Sequence, residues 1–392
     1  VRKVISFEDA ERIVLSSFQE TAKESVPLRM SLDRVIARDT KSPLDSPPWA
    51  RAAVDGFACL GDDVLRASPQ KPVRLALLGQ AMAGEVFCGK VRRGQCVEVA
   101  TGSSMPRGCD CVMMKEYAHN ENDFILIGEK GYPCLNVSAR GEDVRRGEVI
   151  VRKGRRIRPQ DLGILKSCGI REVLVKRKPR VSIVITGSEL VRDVSALGAG
   201  KIMESNSLMI SSLIKKCGGE VTFSRMVKDE KVSLQRVLEE GSRKSDFLLV
   251  TGGSSVGKKD LVSDAVDPLF SGVAIRPGRP FGFSRNPPVF IMSGYPVACF
   301  IQFYAFVIPV LERMLGTEIQ KFASGILGEK VASEVGRRDF VRVRVAQDSV
   351  IPVALKGSGI ISSLVLSDGF ITIEENREGI EAGEKVCIHM WV

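Results

Sequence analysis

At 392 residues the chain is too long for one ordinary core and should divide into two to four domains. With 27% charged and 44% apolar residues, no apolar run that reads as a membrane span, and ten scattered cysteines lacking any Cys-x-x-Cys pair, the composition predicts a soluble cytoplasmic protein with reduced thiols and argues against a zinc site. The net charge of +10 admits a polyanionic partner, but basic residues are interleaved with acids and only 6% of residues are aromatic, which argues against nucleic acid and membrane surfaces and favours a phosphate-rich small ligand.

Taken in chain order, Ala10, Ile13, Val14 and Phe18 recur at helical spacing behind Ser6 as N-cap, predicting an amphipathic helix over 8–24. Extended segments follow at 28–39 and 43–49. From 73 to 127 the pattern is strand and turn, with Gly79, Gly84, Gly89, Gly94, Gly102 and Gly108 spaced as in a compact β domain. Within it Cys109 and Cys111 are expected on one strand face. Residues 140–176 combine a strand around Val149 with a helix from Pro159 to Cys168, expected to pack on the N-terminal helix. After Pro179, strands at 181–185, 220–226, 247–250 and 289–292 alternate with helices at 207–217, 231–244 and 298–315. That order implies a parallel sheet covered on both faces, with ligands at the carboxyl ends of its strands. Beyond Gly316, short strands with turns at Gly336, Gly357, Gly369 and Gly383 suit a small barrel or sandwich.

The expected fold is multidomain, α/β plus β. A central three-layer α/β domain with a mostly parallel sheet (179–320) is flanked by an N-terminal mixed region (1–26, 43–52 and 140–178), an inserted β-rich domain (27–42 and 53–139) and a C-terminal barrel-like domain (321–392).

The densest chemical signal is residues 247–260, where an apolar strand runs into a glycine- and hydroxyl-rich loop that opens a helical pattern. Gly252, Gly253 and Gly257 permit the backbone turns of a phosphate cradle, Ser254 and Ser255 add hydroxyls, and a following helix would supply unpaired N–H groups. Asp260 falls where its carboxylate could bind a metal or orient a substrate. Strand, glycine-rich turn and helix is also how many α/β proteins turn a corner, so the neighbouring strand ends decide. They carry Thr186-Gly187-Ser188-Glu189, Lys228-Asp229-Glu230, Arg276-Pro277-Gly278-Arg279 and Ser293-Gly294-Tyr295-Pro296. Glu189, Asp229 and Asp260 together suit a divalent cation, and the arginine pair suits an oxyanion.

Thr-Gly-Ser-Glu-Leu at 186–190, Glu-Ser-Asn-Ser at 204–207, Gly-Gly-Ser-Ser-Val-Gly-Lys-Lys-Asp at 252–260 and Arg-Pro-Gly-Arg-Pro at 276–280 resemble the motifs of the molybdopterin molybdenumtransferase family, which includes MoeA and the E domain of gephyrin. Ala-Val-Asp-Gly-Phe-Ala at 53–58, Ala-Thr-Gly-Ser-Ser-Met-Pro-Arg-Gly-Cys-Asp at 100–110, Gly-Glu-Asp-Val at 141–144 and three C-terminal segments extend the match in order over nearly the whole chain.

The resemblance implies molybdenum cofactor biosynthesis: binding of adenylylated molybdopterin and molybdate, Mg2+-dependent cleavage of the adenylate, and insertion of molybdenum into the dithiolene. It assigns catalysis to Asp55, Thr101, Asp143, Glu189, Asp229 and Asp260, the last three also as metal ligands. Substrate binding falls to Thr186, Gly252, Gly253, Ser254, Ser255, Gly257, Arg276, Arg279, Ser293, Pro296 and Ser358, with Asp368 as a further residue closing the site. It also implies a homodimer, with Asp55 and Thr101 acting across the interface, and a transient contact with the molybdopterin adenylyltransferase.

The chain departs from the family pattern at Arg276 and Arg279, where lysines are usual, at Gly272 where a further lysine is expected, at Tyr295 in place of Asn, and at Glu204 in place of Asp. These departures leave open a tungstate-inserting variant, or a non-catalytic pterin-binding or scaffold paralogue. An adenylyltransferase reading of the α/β unit is disfavoured by the additional domains.

Overall fold

The computed structural model describes residues 4–252, 261–347, 349–353 and 357–392. The chain forms two compact units: Val1–Glu24, Asp33–Val35 and Val175–Val392 make one, and Ser25–Leu32 with Ile36–Leu174 the other.

The centre of the first unit is a five-stranded sheet. Its elements in chain order are β1 (Arg180–Thr186), α1 (Asn206–Lys216), β2 (Glu220–Val227), α2 (Lys231–Lys244), β3 (Phe247–Thr251), α3 (Leu261–Val266), β4 (Gly282–Arg285), β5 (Pro288–Met292) and α4 (Pro296–Leu315). The strand order is β2-β1-β3-β5-β4; the first four are mutually parallel and β4 runs antiparallel to β5. Period-two alternation divides the side chains between two cores, as a sheet buried on both faces requires. Val181, Ile183, Phe247, Leu249, Phe290 and Met292 enter one cluster, while Val184, Leu248, Val250, Val289 and Ile291 join Leu234, Leu238 and Val262 in the other. This is the three-layer arrangement expected from the βαβαβ order.

The N-terminal helix differs from expectation in length and in partner. It spans Phe7–Ser16, capped at its start by Ser6 Oγ accepting from the Asp9 N–H, and the hydroxyls of Ser16 and Ser17 donate to the Ile13 carbonyl as the helix ends. Its apolar stripe belongs to the α/β core rather than to residues 140–176. Phe7, Ala10, Val14 and Phe18 share a cluster with β1, β3 and β5, and Phe18 lies against Phe247 and Phe290 at ring separations of 5.5 and 5.9 Å. An apolar stripe docks wherever a complementary face exists, and sequence proximity does not choose it.

One helix, α4, is long and apolar enough to cross a membrane by length and composition, but its apolar window is 83% buried within the protein. It is a core helix, interrupted by a π-helical stretch at Phe303–Val307.

The C-terminal strands close into a ring. Arg338–Ala346 pairs with Ser349–Pro352 on one side and Gly369–Ile373 on the other; Lys321–Leu327 and Lys385–Met390 complete the circuit, and Ile275–Arg276 adds to Arg338–Asp339. Its interior holds Leu327, Val343, Val350, Ile371, Ile373 and Ile388. Closure leaves few free strand edges.

The second unit is built on a six-stranded sheet with neighbours Cys111–Met114, Gly56–Cys59, Gln95–Val99, Val73–Ala81, Phe124–Ile127 and Ala118–Glu121 in that order. Phe57, Cys59, Cys96, Cys111 and Met113 face one core, and Ala58, Val97, Val99 and Val112 the other. Cys109 and Cys111 do not share a face as expected: the strand begins only at Cys111, and Cys109 packs against the opposite cluster. None of the ten cysteines is in a disulfide.

Candidate functional site

The carboxyl ends of β1, β2, β3 and β5 lie along one edge of the sheet, and the first two meet at Asp229. Thr186, buried at the end of β1, donates its hydroxyl to Asp229 Oδ1, while the Ser188 N–H and hydroxyl donate to Oδ2 at 3.1 and 3.3 Å. Both carboxylate oxygens are therefore engaged in holding the 186–188 turn onto the loop after β2. Gly252 follows β3 with φ +92°, and a Cβ there would stand 1.9 Å from the Thr186 carbonyl oxygen. No side chain fits, so glycine is what allows the β1 and β3 ends to close up. A Cβ on Gly294, after β5, would lie 3.4 Å from the Gly252 Cα, which brings a third strand end to the same point.

Glu189 is exposed on the same turn, its carbonyl accepting from the Ile202 N–H. Lys201 Nζ donates to the Ser188 carbonyl at 2.7 Å, placing a cation beside the carboxylates. Glu204 caps α1, accepting from the Ser207 N–H and hydroxyl, so the longer acid still performs the capping that an Asp would. Among the described residues no group of three His, Cys, Asp or Glu side chains is close enough together to hold a metal ion. Asp260, the third expected metal ligand, lies outside the described residues, as do Gly253, Ser254, Ser255 and Gly257.

The two arginines are placed differently from each other. Arg276 ion-pairs with Asp339, a carboxylate 1% exposed that also accepts from Arg337 Nε at 3.1 Å and Ser333 Oγ at 2.8 Å. Strand pairing of Ile275–Arg276 with Arg338–Asp339 sets that contact. Arg279 is exposed and has no side-chain partner among the described residues. Gly272 is buried against the N-terminal segment: a Cβ there would be 3.0 Å from Val4 Cγ2, and its carbonyl accepts from the Ile5 N–H. The backbone packing at that position leaves little room for a lysine stem.

Ser293 is buried, its N–H donating to Gln302 Oε1 at 2.8 Å and its hydroxyl accepting from the Tyr295 N–H at 3.2 Å. Gln302 Nε2 donates to the carbonyls of Gly278 and Pro280 at 2.6 and 3.0 Å, so one fully buried amide ties the arginine loop to the loop after β5. Pro296 begins α4 directly after Tyr295, whose exposed ring lies over Gly359. The Ser358 carbonyl accepts from the Val297 N–H at 2.9 Å, bringing that segment to the start of α4. Asp368 instead serves the barrel, accepting from the Val345 N–H at 2.8 Å.

Sequence reasoning missed Gln302 and Asp339. An amide within the apolar run of α4 was a signal available in the sequence; the pairing that recruits Asp339 was not.

The second unit carries a smaller carboxylate cluster. Asp55 Oδ1 accepts from both the N–H and the hydroxyl of Thr101, each at 2.7 Å. The Thr101 N–H first, then its hydroxyl, hold the Asp55 carboxyl below the usual carboxylate range. Lys115 donates to Glu98 Oε1 at 2.7 Å, which raises its ammonium, with a further contribution from Asp55. Gly56, which opens the next strand, allows close approach of the neighbouring strand, since a Cβ there would be 1.9 Å from the Met113 carbonyl oxygen. Asp143 is exposed on another loop, its N–H donating to the Ser46 carbonyl, and no hydrogen bond joins it to Asp55 or Thr101.

Comparisons with known proteins follow this architecture along the chain. Residues 5–169 match the family described as "MoeA N-terminal region (domain I and II)", 182–313 a "Probable molybdopterin binding domain" and 324–391 the "MoeA C-terminal region (domain IV)". A molybdopterin biosynthesis protein of Methanocaldococcus jannaschii is 36% identical over 410 residues, covering 100% of this chain and 99% of its own. The molybdopterin molybdenumtransferase of Bacillus subtilis is 31% identical, covering 99% of this chain and 94% of its own. Among solved structures, the molybdopterin biosynthesis MoeA protein of Pyrococcus horikoshii OT3 superposes with a TM-score of 0.87 at 37% identity, over 99% of this chain and 100% of that one. With matches in order from end to end, the chain belongs to the molybdopterin molybdenumtransferase (MoeA) family.

Proposed function

We propose that this protein acts in molybdenum cofactor biosynthesis as a molybdopterin molybdenumtransferase, cleaving adenylylated molybdopterin and transferring molybdenum from molybdate to the dithiolene. The observation that carries the reading is the convergence of Thr186, Asp229, Gly252 and Gly294 on one sheet edge, where β3 ends. Ligands of open α/β sheets bind there.

Glu189 and Asp229, with Asp260, supply the hard oxygen donors that suit Mg2+ and are the residues that would hold it. When bound, the ion neutralises charge developing on the phosphoanhydride oxygens. Asp229 also keeps the 186–188 turn in place, because the Thr186 and Ser188 donors fix its carboxylate. Arg279 receives an oxyanion, and Lys201 adds positive potential beside the Ser188 turn. The Asp55–Thr101 cluster acts on substrate held by the strand ends of a second copy in a homodimer, and Asp143 is a further catalytic residue. Ten cysteines without a disulfide suit a reducing compartment such as the cytoplasm.

The pairing of Arg276 with Asp339, together with Tyr295 at the start of α4, favours asking which oxyanion is taken. Purified protein is incubated with adenylylated molybdopterin, Mg2+ and either molybdate or tungstate, and AMP release and active cofactor are followed. AMP release with metal insertion is expected. Tight pterin binding without AMP release would leave a non-catalytic pterin-binding protein.

A further inference from the structure

Gln302 is fully buried on α4, between Ile301 and Phe303 of an apolar cluster, where a side-chain amide is costly unless its hydrogen-bonding groups are filled. Here they are. Oε1 accepts from the Ser293 N–H at 2.8 Å, and the two donors of Nε2 reach the Gly278 and Pro280 carbonyls at 2.6 and 3.0 Å. A flipped amide would set oxygen against two carbonyls and its NH2 against an N–H, so one orientation is possible. The arginine loop lies directly on this side chain: Gly278 has φ +106°, and a Cβ there would stand 3.0 Å from Gln302 Cγ and Nε2.

Those bonds bracket Arg279. The carbonyls before and after it are held by the same NH2 group, and its own carbonyl accepts from the Val273 and Phe281 N–H groups, each at 3.0 Å. Three successive carbonyls are thus fixed beneath a guanidinium that is exposed and has no side-chain partner among the described residues. The Ser293–Tyr295 turn is bonded to the other end of the same amide. The backbone under Arg279 and the Ser293 turn therefore stand one amide group apart, a spacing that an apolar side chain of similar length would not impose. Immediately beyond Gln302 the helix changes register in the π-helical stretch Phe303–Val307, a distortion frequent at functional sites.

We propose that Gln302 is a positioning residue for oxyanion capture. It is buried away from any substrate, and its amide sets where the Arg279 guanidinium stands relative to the Ser293–Tyr295 turn, and through that the affinity for the oxyanion. Losing the amide lets the arginine loop and the turn move independently, which weakens a contact that depends on a fixed, directional guanidinium fork. The pterin and its phosphates, held elsewhere, are unaffected. The inference rests on the transferase reading and adds a residue that acts on the reaction through Arg279.

The test follows active-cofactor formation by the full-length protein, first at varied molybdate and then at varied adenylylated molybdopterin. Gln302→Met removes the amide at nearly constant volume, and should raise the KM for molybdate about tenfold, the loss expected for one charge-assisted contact. The KM for adenylylated molybdopterin, and kcat at saturating molybdate, should change by less than about twofold. Three backbone groups lose their bonds to the amide, so Tm should also fall. Gln302→Glu keeps the Ser293 bond and loses the donors to the arginine loop, and reads the same KM shift if the Met variant does not fold. Arg279→Ala, at an exposed position, supplies a readout that a purely structural amide would not move. On that background Gln302→Met should raise the molybdate KM no further, while its Tm loss persists. A lowered Tm with unchanged molybdate KM, or a KM loss that adds in full to that of Arg279→Ala, overturns the inference and leaves the transferase reading intact. Wild-type protein that forms no active cofactor at any molybdate concentration overturns both.

Discussion

Asp229 and Asp55 are held by the same device and left in different states. Each carboxylate is clamped by a threonine hydroxyl, and each receives a backbone N–H from a neighbouring turn. At Asp229 the donors are divided over both oxygens, and its threonine is buried at the end of a core strand. At Asp55 both donors converge on Oδ1, on exposed loops, and Oδ2 has no hydrogen-bond partner among the described residues. The first carboxylate holds its surroundings together. The second is presented, with its charge secured, to whatever approaches it.

The sharpest way to break this contrast is at the closest approach beneath Asp229. Gly252→Ala puts a methyl into the Thr186 carbonyl at a positive φ, and we expect a loss of about 3 kcal/mol in stability together with activity. Chemical denaturation measures it; a variant as stable as wild type would mean that the two strand ends are not locked. Next in size, Asp229→Asn turns an amide donor toward the Ser188 or Thr186 donors, and should lower Tm as well as slow AMP release by two orders of magnitude or more, on the order of what one essential electrostatic group contributes. Asp55→Asn can keep its oxygen toward Thr101, so it should slow the reaction by about the same order with Tm nearly unchanged. Equal Tm losses in the two variants would erase the distinction.

The smallest expected effect is a shift in pH. Thr101→Val removes one of the two groups that depress the Asp55 carboxyl, leaving the backbone N–H as the larger remaining one. The Asp55 pKa should therefore move up toward its ordinary value. Because a depressed carboxyl contributes stability above its unfolded pKa and loses it as pH falls through the folded pKa, the contribution in this variant is smaller and is lost at a higher pH. An NMR titration of Asp55 reads the shift directly. No movement would mean that the backbone N–H alone sets the value.

Much of the α/β domain was legible because its cause is local and repetitive. The alternation of Phe247, Leu248, Leu249 and Val250 between two cores, and the polar residues that follow each strand, are written in the order of the chain. Thr186, Asp229 and Gly252 were singled out as strand-end residues, but the way in which Asp229 serves the Thr186–Ser188 turn was not, since it depends on donors forty-odd residues away. Arg276 read as an oxyanion ligand beside Arg279. Its pairing with Asp339 follows from strand Ile275–Arg276 joining the barrel, a contact without local signature.

The same division applies to the N-terminal helix and to the two cysteines. Periodicity showed that Ala10, Val14 and Phe18 share a stripe, and the residue types showed that Cys109 and Cys111 are small and apolar. Which face each would meet was decided by tertiary structure alone. Sequence by itself determined which residues are apolar, where backbone freedom is concentrated, and which order of strands and helices the chain can support, because these depend on covalent neighbours and short periods. Only the folded structure decided which donors fill which carboxylate oxygen. Hydrogen bonds are short and directional, and their partners come from segments that meet only after the chain has packed.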